Sequence, residues 1–311
     1  MAVDYTTTEL IKSLKRRASM PTSQSTFLPV DFVALMNDEM HSVLLPRIKD
    51  TREEYFVTYT DTALVDGQSS YTIPSRAAGN SLRDVVLVDV NGKESPLPRL
   101  APEDVKETNS NFQGTTLIGH ILRDNKIIVI PEPANPAAGD AVRFYFERRP
   151  NNLILESAAA QITAINSGTR QVTVTNQPSA WTAALDYDVI SNAPPFSSIA
   201  DDQGISAIGS NILTFDSLPT GIAVGQWIAP AGESPIPQLP YEAHHVLAQL
   251  GAVKALEILG KPSEVKIARE SAGEMLRFFI SLITPRNDGS QKKIVNRNSL
   301  FGGSSRRFLG R

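Results

Sequence analysis

Residues 240–284 read PYEAHHVLAQLGAVKALEILGKPSEVKIARESAGEMLRFFISLIT, and the organisation of the chain turns on this stretch. His245, Leu247, Gln249, Leu250, Val253, Leu256 and Leu259 lie in a strongly periodic helical segment. Gly260-Lys261-Pro262 closes it with a glycine that tolerates a left-handed backbone and a proline that cannot continue the helix. Ser263 is the expected N-cap of a second helix, which Pro285 ends. The apolar stripe of that helix is Ile267, Ala268, Met275, Phe278, Phe279, Leu282 and Ile283. The short connection makes the two an antiparallel hairpin. Neither stripe can be buried by the hairpin alone, so more helices are required.

Those helices are at the other end of the chain. Thr6-x-x-Glu9 has capping-box spacing, followed by Leu10, Ile11, Leu14 and Ala18 at helical intervals. Lys15, Arg16 and Arg17 suit the negative end of the helix dipole, and Pro21 lies just beyond. Pro29 suits the first position of a second helix, with Phe32, Leu35, Met36, Met40, Val43 and Leu44 as its stripe. Pro46 is expected to kink or shorten it.

Between the helical ends the period changes to two. Val85–Val90 leads into Asn91-Gly92, a hairpin signal. Residues 121–130 read strand, turn, strand, and Val142-Arg143-Phe144-Tyr145-Phe146-Glu147 alternates cleanly. Residues 157–239 carry seven charged side chains, of which Arg170 is the one base. Their short strands and Gly- and Pro-bearing turns suggest a small antiparallel sandwich or barrel, or else an irregular excursion from the preceding sheet. The expected class is therefore α+β: a four-helix core from the two chain ends, a large antiparallel β insertion and an extended C-terminal arm. The expected divisions are 1–58 (helical core, first half), 59–156 and 157–239 (two parts of the insertion), 240–284 (helical core, second half) and 285–311 (arm).

Composition narrows the chemistry. With no cysteine among 311 residues, disulfides, thiolate nucleophiles and Cys-ligated metals are excluded. Four histidines leave little for a His-built metal site. No run is long and apolar enough to span a bilayer, and the polar start lacks the order of a signal peptide, so assembly in a cytoplasm without a membrane partner is expected. Phosphate-loop, zinc-protease and nucleophile-elbow motifs do not occur. Asp201-Asp202 and Asp186-x-Asp188 could serve as paired carboxylates, although turn-rich sequence suits surface aspartate better. His244-His245 point about 100° apart on a helix, with Ala248 and Gln249 where a second metal ligand would stand. Trp181, Trp227, Tyr187 and Tyr241 could form a sugar platform or simply pack a core. No catalytic, cofactor-binding or metal residue is expected, and no cofactor.

Charge is uneven. Residues 59–239 are net −8, whereas 285–311 are net +6. In that last segment Arg286, Lys292, Lys293, Arg297, Arg306 and Arg307 alternate with Ile294, Val295, Leu300, Phe301, Phe308 and Leu309. Gly302-Gly303-Ser304-Ser305 divides it with a flexible-linker composition. Apolar residues of this size contribute roughly 1.5–3 kcal/mol each when buried, before ordering costs. They make sense as anchors on a protein partner; a nucleic-acid contact and a solvated terminus are the other readings. Fully extended, the segment reaches on the order of 90 Å.

Three stretches resemble the head-to-tail adaptor (connector) proteins of tailed double-stranded DNA bacteriophages. One runs from Glu9-Leu10-Ile11 and Lys15-Arg16-Arg17-Ala18 through Asp31-Phe32, Leu35 and Asn37-Asp38-Glu39 to Glu54-Tyr55-Phe56-Val57. Another is Ser234-Pro235-Ile236-Pro237-Gln238-Leu239-Pro240, continued by Ala248-Gln249, Ala252-Val253-Lys254 and Leu256-Glu257. The third is Leu282-Ile283, Pro285-Arg286 and Lys292-Lys293-Ile294. The resemblance implies a dodecameric ring beneath the portal, extending the channel through which DNA passes without sequence-specific binding. It implies a location in the virion neck, with the portal protein, tail or nozzle proteins and further copies of the chain as partners. It also implies that the C-terminal arm docks on portal subunits. The simplest members lack so large an insertion, whose role stays open between widening the ring, contacting the capsid and binding tail or fibre proteins. The alternative function is a receptor- or carbohydrate-binding tail component built on the insertion, and the third is a hydrolase.

Overall fold

A computed structural model of the chain describes residues 6–284 apart from 22, 25, 102 and 104–116. The residues expected to form a docking arm, from Arg286 to Leu309, lie outside the described residues. The fold is α+β, with both helices and sheets well represented. No helix among the described residues is long and apolar enough to cross a membrane.

Five helices belong to the two ends of the chain: α1 (Thr7–Arg17), α2 (Pro29–Glu39), α3 (Leu45–Thr51), α4 (Ala243–Ile258) and α5 (Pro262–Ile283). One apolar cluster joins them, from Leu10 and Leu14 through Phe32, Met36 and Ile48 to Leu247, Leu256 and Phe279. Helix α4 is buried on most of its circumference, because α1, α2 and α5 all pack against it. Its one-sided stripe expected from sequence is thus corrected: only a minor face, including His245, meets solvent. The close approach needs Gly251, where an added Cβ would lie 2.7 Å from Leu14 Cδ1 and 3.2 Å from Met36 Cγ.

Details at the helix ends also differ from expectation. Thr6 is the N-cap of α1 but makes no side-chain cap bond, so no capping box forms. Glu9 instead meets Lys12 at 2.7 Å, and the Thr7 amide donates to the Pro235 carbonyl at 2.8 Å. Lys261, not Ser263, occupies the N-cap of α5, because Pro262 already sits in the first turn. Pro46 does not kink α2; a π-helical turn at Met40–Leu44 precedes it, and Pro46 opens α3.

The β region contains two bodies. In the first, an antiparallel sheet of order β1 (Val57–Ala63), β7 (Ala141–Arg148), β3 (Ala77–Val88) and β4 (Glu94–Pro96) shares a core with the sheet of β2 (Ser70–Thr72), β6 (Lys126–Ile130) and β5 (Gly119–Arg123). Val142, Phe144 and Phe146 of β7 point inward, as their alternation dictates. The turn between β5 and β6 is Asp124-Asn125, both at positive φ. That conformation suits a two-residue hairpin.

The second body is a seven-stranded sheet. Its order is β12 (Ser198–Gln203), β11 (Tyr187–Ile190), β15 (Trp227–Pro230), β9 (Ala160–Asn166), β10 (Gln171–Thr175), β14 (Ile212–Phe215) and β13 (Ile205–Gly209). Its edge strands β12 and β13 are consecutive through Gly204, so the sheet curls until its edges meet around a core of Ile162, Val172, Tyr187, Leu213 and Phe215. The chain enters and leaves this body side by side, where β8 (Asn152–Leu153) pairs in parallel with β16 (Glu233–Ser234).

Helix α2 grips that neck. Asn37 Nδ2 donates to the Leu153 carbonyl at 2.9 Å, and Asn37 Oδ1 accepts from the Leu153 amide at 2.7 Å. One amide side chain thus imitates a neighbouring strand. His41 Nε2 lies 2.9 Å from Asn152 Oδ1 alongside.

Candidate docking surface

Helix α5 carries the last described residues before the arm. Pro262 pre-sets its first turn, and Gly260 before it takes a φ of 67° that glycine adopts without strain. At 100° per residue, Ile267, Phe278 and Leu282 fall within an arc of about 60°. Ala268, Ala272 and Phe279 occupy the neighbouring arc. The second set is buried against the helical core, whereas Ile267, Phe278 and Leu282 are 70%, 71% and 68% exposed. The single stripe expected from sequence is thereby corrected into two adjoining faces. Periodicity marks the whole apolar arc but not the line along which α4 stops covering it. Glu270 and Glu274 flank the outer face.

The candidate carboxylates take structural roles. Asp188 is fully buried and receives Arg76 Nη2 at 2.9 and 3.0 Å on its two oxygens. Asn151 Nδ2 at 2.6 Å, the Asp202 amide at 2.9 Å and the Gly232 amide at 3.0 Å complete its shell. Asp202 takes the same Arg76 at 2.5 Å, while Asp201 takes Arg148 at 2.6 Å and Ser198 at 2.5 Å. Arg76 and Arg148 come from the four-stranded sheet and its β2–β3 turn, and the three aspartates from the curled sheet, so the cluster fastens one body to the other. Burial pushes the Asp188 carboxyl upward against the pull of the two amides and Arg76. Burial likewise lowers Arg148, with Asp201 opposing it. Arg76 is also penalised by burial, but its bond to Asp202 and the surrounding carboxylates leave it raised.

His244 is buried, with Nε2 3.1 Å from the Pro237 carbonyl and its ring 5.0 Å from that of Phe196. Burial pushes its pKa down to about 4, so the imidazole is neutral at pH 7. Among the described residues no group of His, Asp and Glu is placed to hold a metal ion. Trp181, Trp227 and Tyr187 are core residues, and only Tyr241 of the proposed sugar platform is exposed.

The interactions that fasten the bodies together were not readable beforehand. Asn37, Arg76 and Asn151 have no motif, and each acts on a partner distant in sequence. Asp188 had a signal of its kind, a carboxylate in a strand of apolar neighbours, which foretells a buried ion pair as readily as an active site. No protein-family model matches the chain, and no curated protein matches its sequence.

Proposed function

We propose that the chain is a structural virion protein, a head-to-tail adaptor that forms a ring beneath the portal and extends the DNA channel. The helical core, built from the two ends of the chain, makes the wall of that ring, and the β bodies offer a platform to tail components. The observation that carries this reading is the outward apolar face of α5, formed by Ile267, Phe278 and Leu282. An apolar strip of this kind on a long terminal helix is what a neighbouring subunit would cover. The helix leads directly into a segment of net charge +6 that is studded with apolar anchors.

The physical logic is additive. Each arm loses conformational entropy when it docks. A ring presents many arms together, so weak single contacts sum to a stable attachment. A body of net charge −8 between residues 59 and 239 repels phosphates and suits a passage that must not retain DNA. Mixing the purified chain with isolated portal rings and imaging the product by electron microscopy tests the reading. A closed ring of this chain stacked on the portal is expected; a portal that stays bare at saturating protein contradicts it.

A further inference from the structure

A groove of about 560 Å³ runs beside α1, walled by that helix, by the start of α2 and by the turn after β8. Ile11, Met20 and Leu155 make its floor apolar, and Leu28 and Val30, on either side of the lining Pro29, are exposed next to it. Its charged side chains are Lys12, Lys15 and Arg16 against Glu156. Lys12 is already met by Glu9 at 2.7 Å, and Lys15 stands 5.3 Å from the centre of the Phe32 ring. Arg16 is exposed; its Nε donates to the Lys12 carbonyl at 3.3 Å, and it has no carboxylate partner among the described residues. The groove opens away from α5. Arg17 Nη1 donates to Gln249 Oε1 of α4 at 2.9 Å and lies 3.6 Å from Met275 Sδ of α5. Lys15, two residues earlier, projects about 200° round α1 from that arginine.

The outer face of α5 has the matching character. Glu274 and Glu264 stand about 40° to either side of Phe278, whereas the nearest bases, Arg277 and Lys266, stand about 100° and 120° away. Glu264 is met by Lys261 at 3.2 Å, while Glu274 is exposed and has no cationic partner among the described residues. From Glu274 to Leu282 the helix rises about 12 Å, the same rise as α1 from Thr8 to Arg16. An apolar ridge with an acid beside it and an apolar groove with a cationic rim thus occur on one chain, on opposite sides of α1.

We infer that the groove beside α1 of one copy receives the outer face of α5 of the next, with Phe278 and Leu282 on the apolar floor and Glu274 against Arg16. The two surfaces differ, so the contact is heterologous; repeated, it closes a ring or runs on as a filament. Other occupants suit the groove less well. The segment 285–311, at net +6, has the wrong sign for a cationic rim, and a phosphate backbone would leave the apolar floor uncovered. The inference rests on the adaptor reading for what the ring is for, and it deepens that reading by naming the surface that α5 meets.

Charge reversal in the full-length protein tests the contact. Arg16 and Glu274 are both exposed, so R16E and E274R should leave the monomer folded, which circular dichroism checks. Each single reversal sets like charges against each other, and self-association followed by sedimentation should weaken at least tenfold. The double variant R16E/E274R, and an equal mixture of the two single variants, should return to within about threefold of the parent, because opposite charges then meet again across the contact. A parent that stays monomeric, single variants that associate like the parent, or a double variant no stronger than the singles each overturns the inference. Portal rings that still capture the full chain under those outcomes leave the adaptor reading intact. Rescue by the double variant in a chain that portal rings ignore removes the adaptor reading and keeps the contact.

Discussion

Arg76 and Asp188 are joined by two bonds of 2.9 and 3.0 Å from one guanidinium nitrogen, although 112 residues separate them. The arginine belongs to the turn before β3 and the aspartate to β11, so the pair locks the four-stranded and curled sheets together. Removing Arg76 leaves the buried Asp188 carboxylate without its cation, held only by Asn151 and two backbone amides, and breaking a buried pair in this way typically costs about 3–5 kcal/mol. Arg76→Ala should therefore destabilise the chain by about that amount in urea denaturation. Asp202→Ala, which removes an exposed partner, should cost less. Equal effects would mean that the buried pair is not the fastening.

Helix α4 can approach α1 and α2 only because residue 251 lacks a side chain. A Cβ there meets Leu14 at 2.7 Å, and a branched side chain meets Met36 as well. Gly251→Val should lower stability by about 1–3 kcal/mol through overpacking. Thermal unfolding checks this, and a variant as stable as the parent would show that the helices can separate freely.

His244 makes stability depend on pH. Its folded pKa of about 4 lies below the ordinary value of 6.5, so the folded state disfavours the proton that the unfolded chain accepts. The contribution is fully present above pH 6.5 and is lost as pH falls towards 4. The full loss is about 3 kcal/mol, from the energy equivalent of each pKa unit. Denaturation between pH 7 and 4 should give a steeper decline for the parent than for His244→Asn, and parallel curves would refute the assignment.

The outer face of α5 should matter for association and not for folding. Phe278→Ser and Leu282→Ser replace exposed side chains, so the monomer's stability should shift by no more than about 0.5 kcal/mol. Self-association, followed by sedimentation, should fall at least tenfold in the double variant. Undiminished association would move the subunit interface elsewhere.

Much of the architecture was written in local patterns. The alternation in β7, the Asp124-Asn125 turn and the stripe of α1 each depend on neighbours a few residues away, and each was readable. What failed was set by distant contacts. The α5 stripe spans one continuous apolar arc, and only the position of α4 decides that Phe279 is covered while Phe278 is not. Asn37 is an ordinary helix residue until Leu153 is laid beside it. The capping box expected at Thr6 does not form: Thr6 makes no side-chain cap bond, and the Glu9 carboxylate takes Lys12 at 2.7 Å instead. The proposed docking arm rests on composition alone, in the cationic and apolar residues after Pro285, whereas the exposed face of α5 was not readable from the sequence.

The central claim is that residues beyond α5 attach this chain to a neighbouring portal ring. The decisive measurement is co-sedimentation of portal rings with the full chain and with a 1–285 truncation, at matched concentrations. The account predicts stoichiometric capture of the full chain and at least a hundredfold weaker capture of a truncation that remains folded by circular dichroism. Equal capture of the two proteins would contradict it.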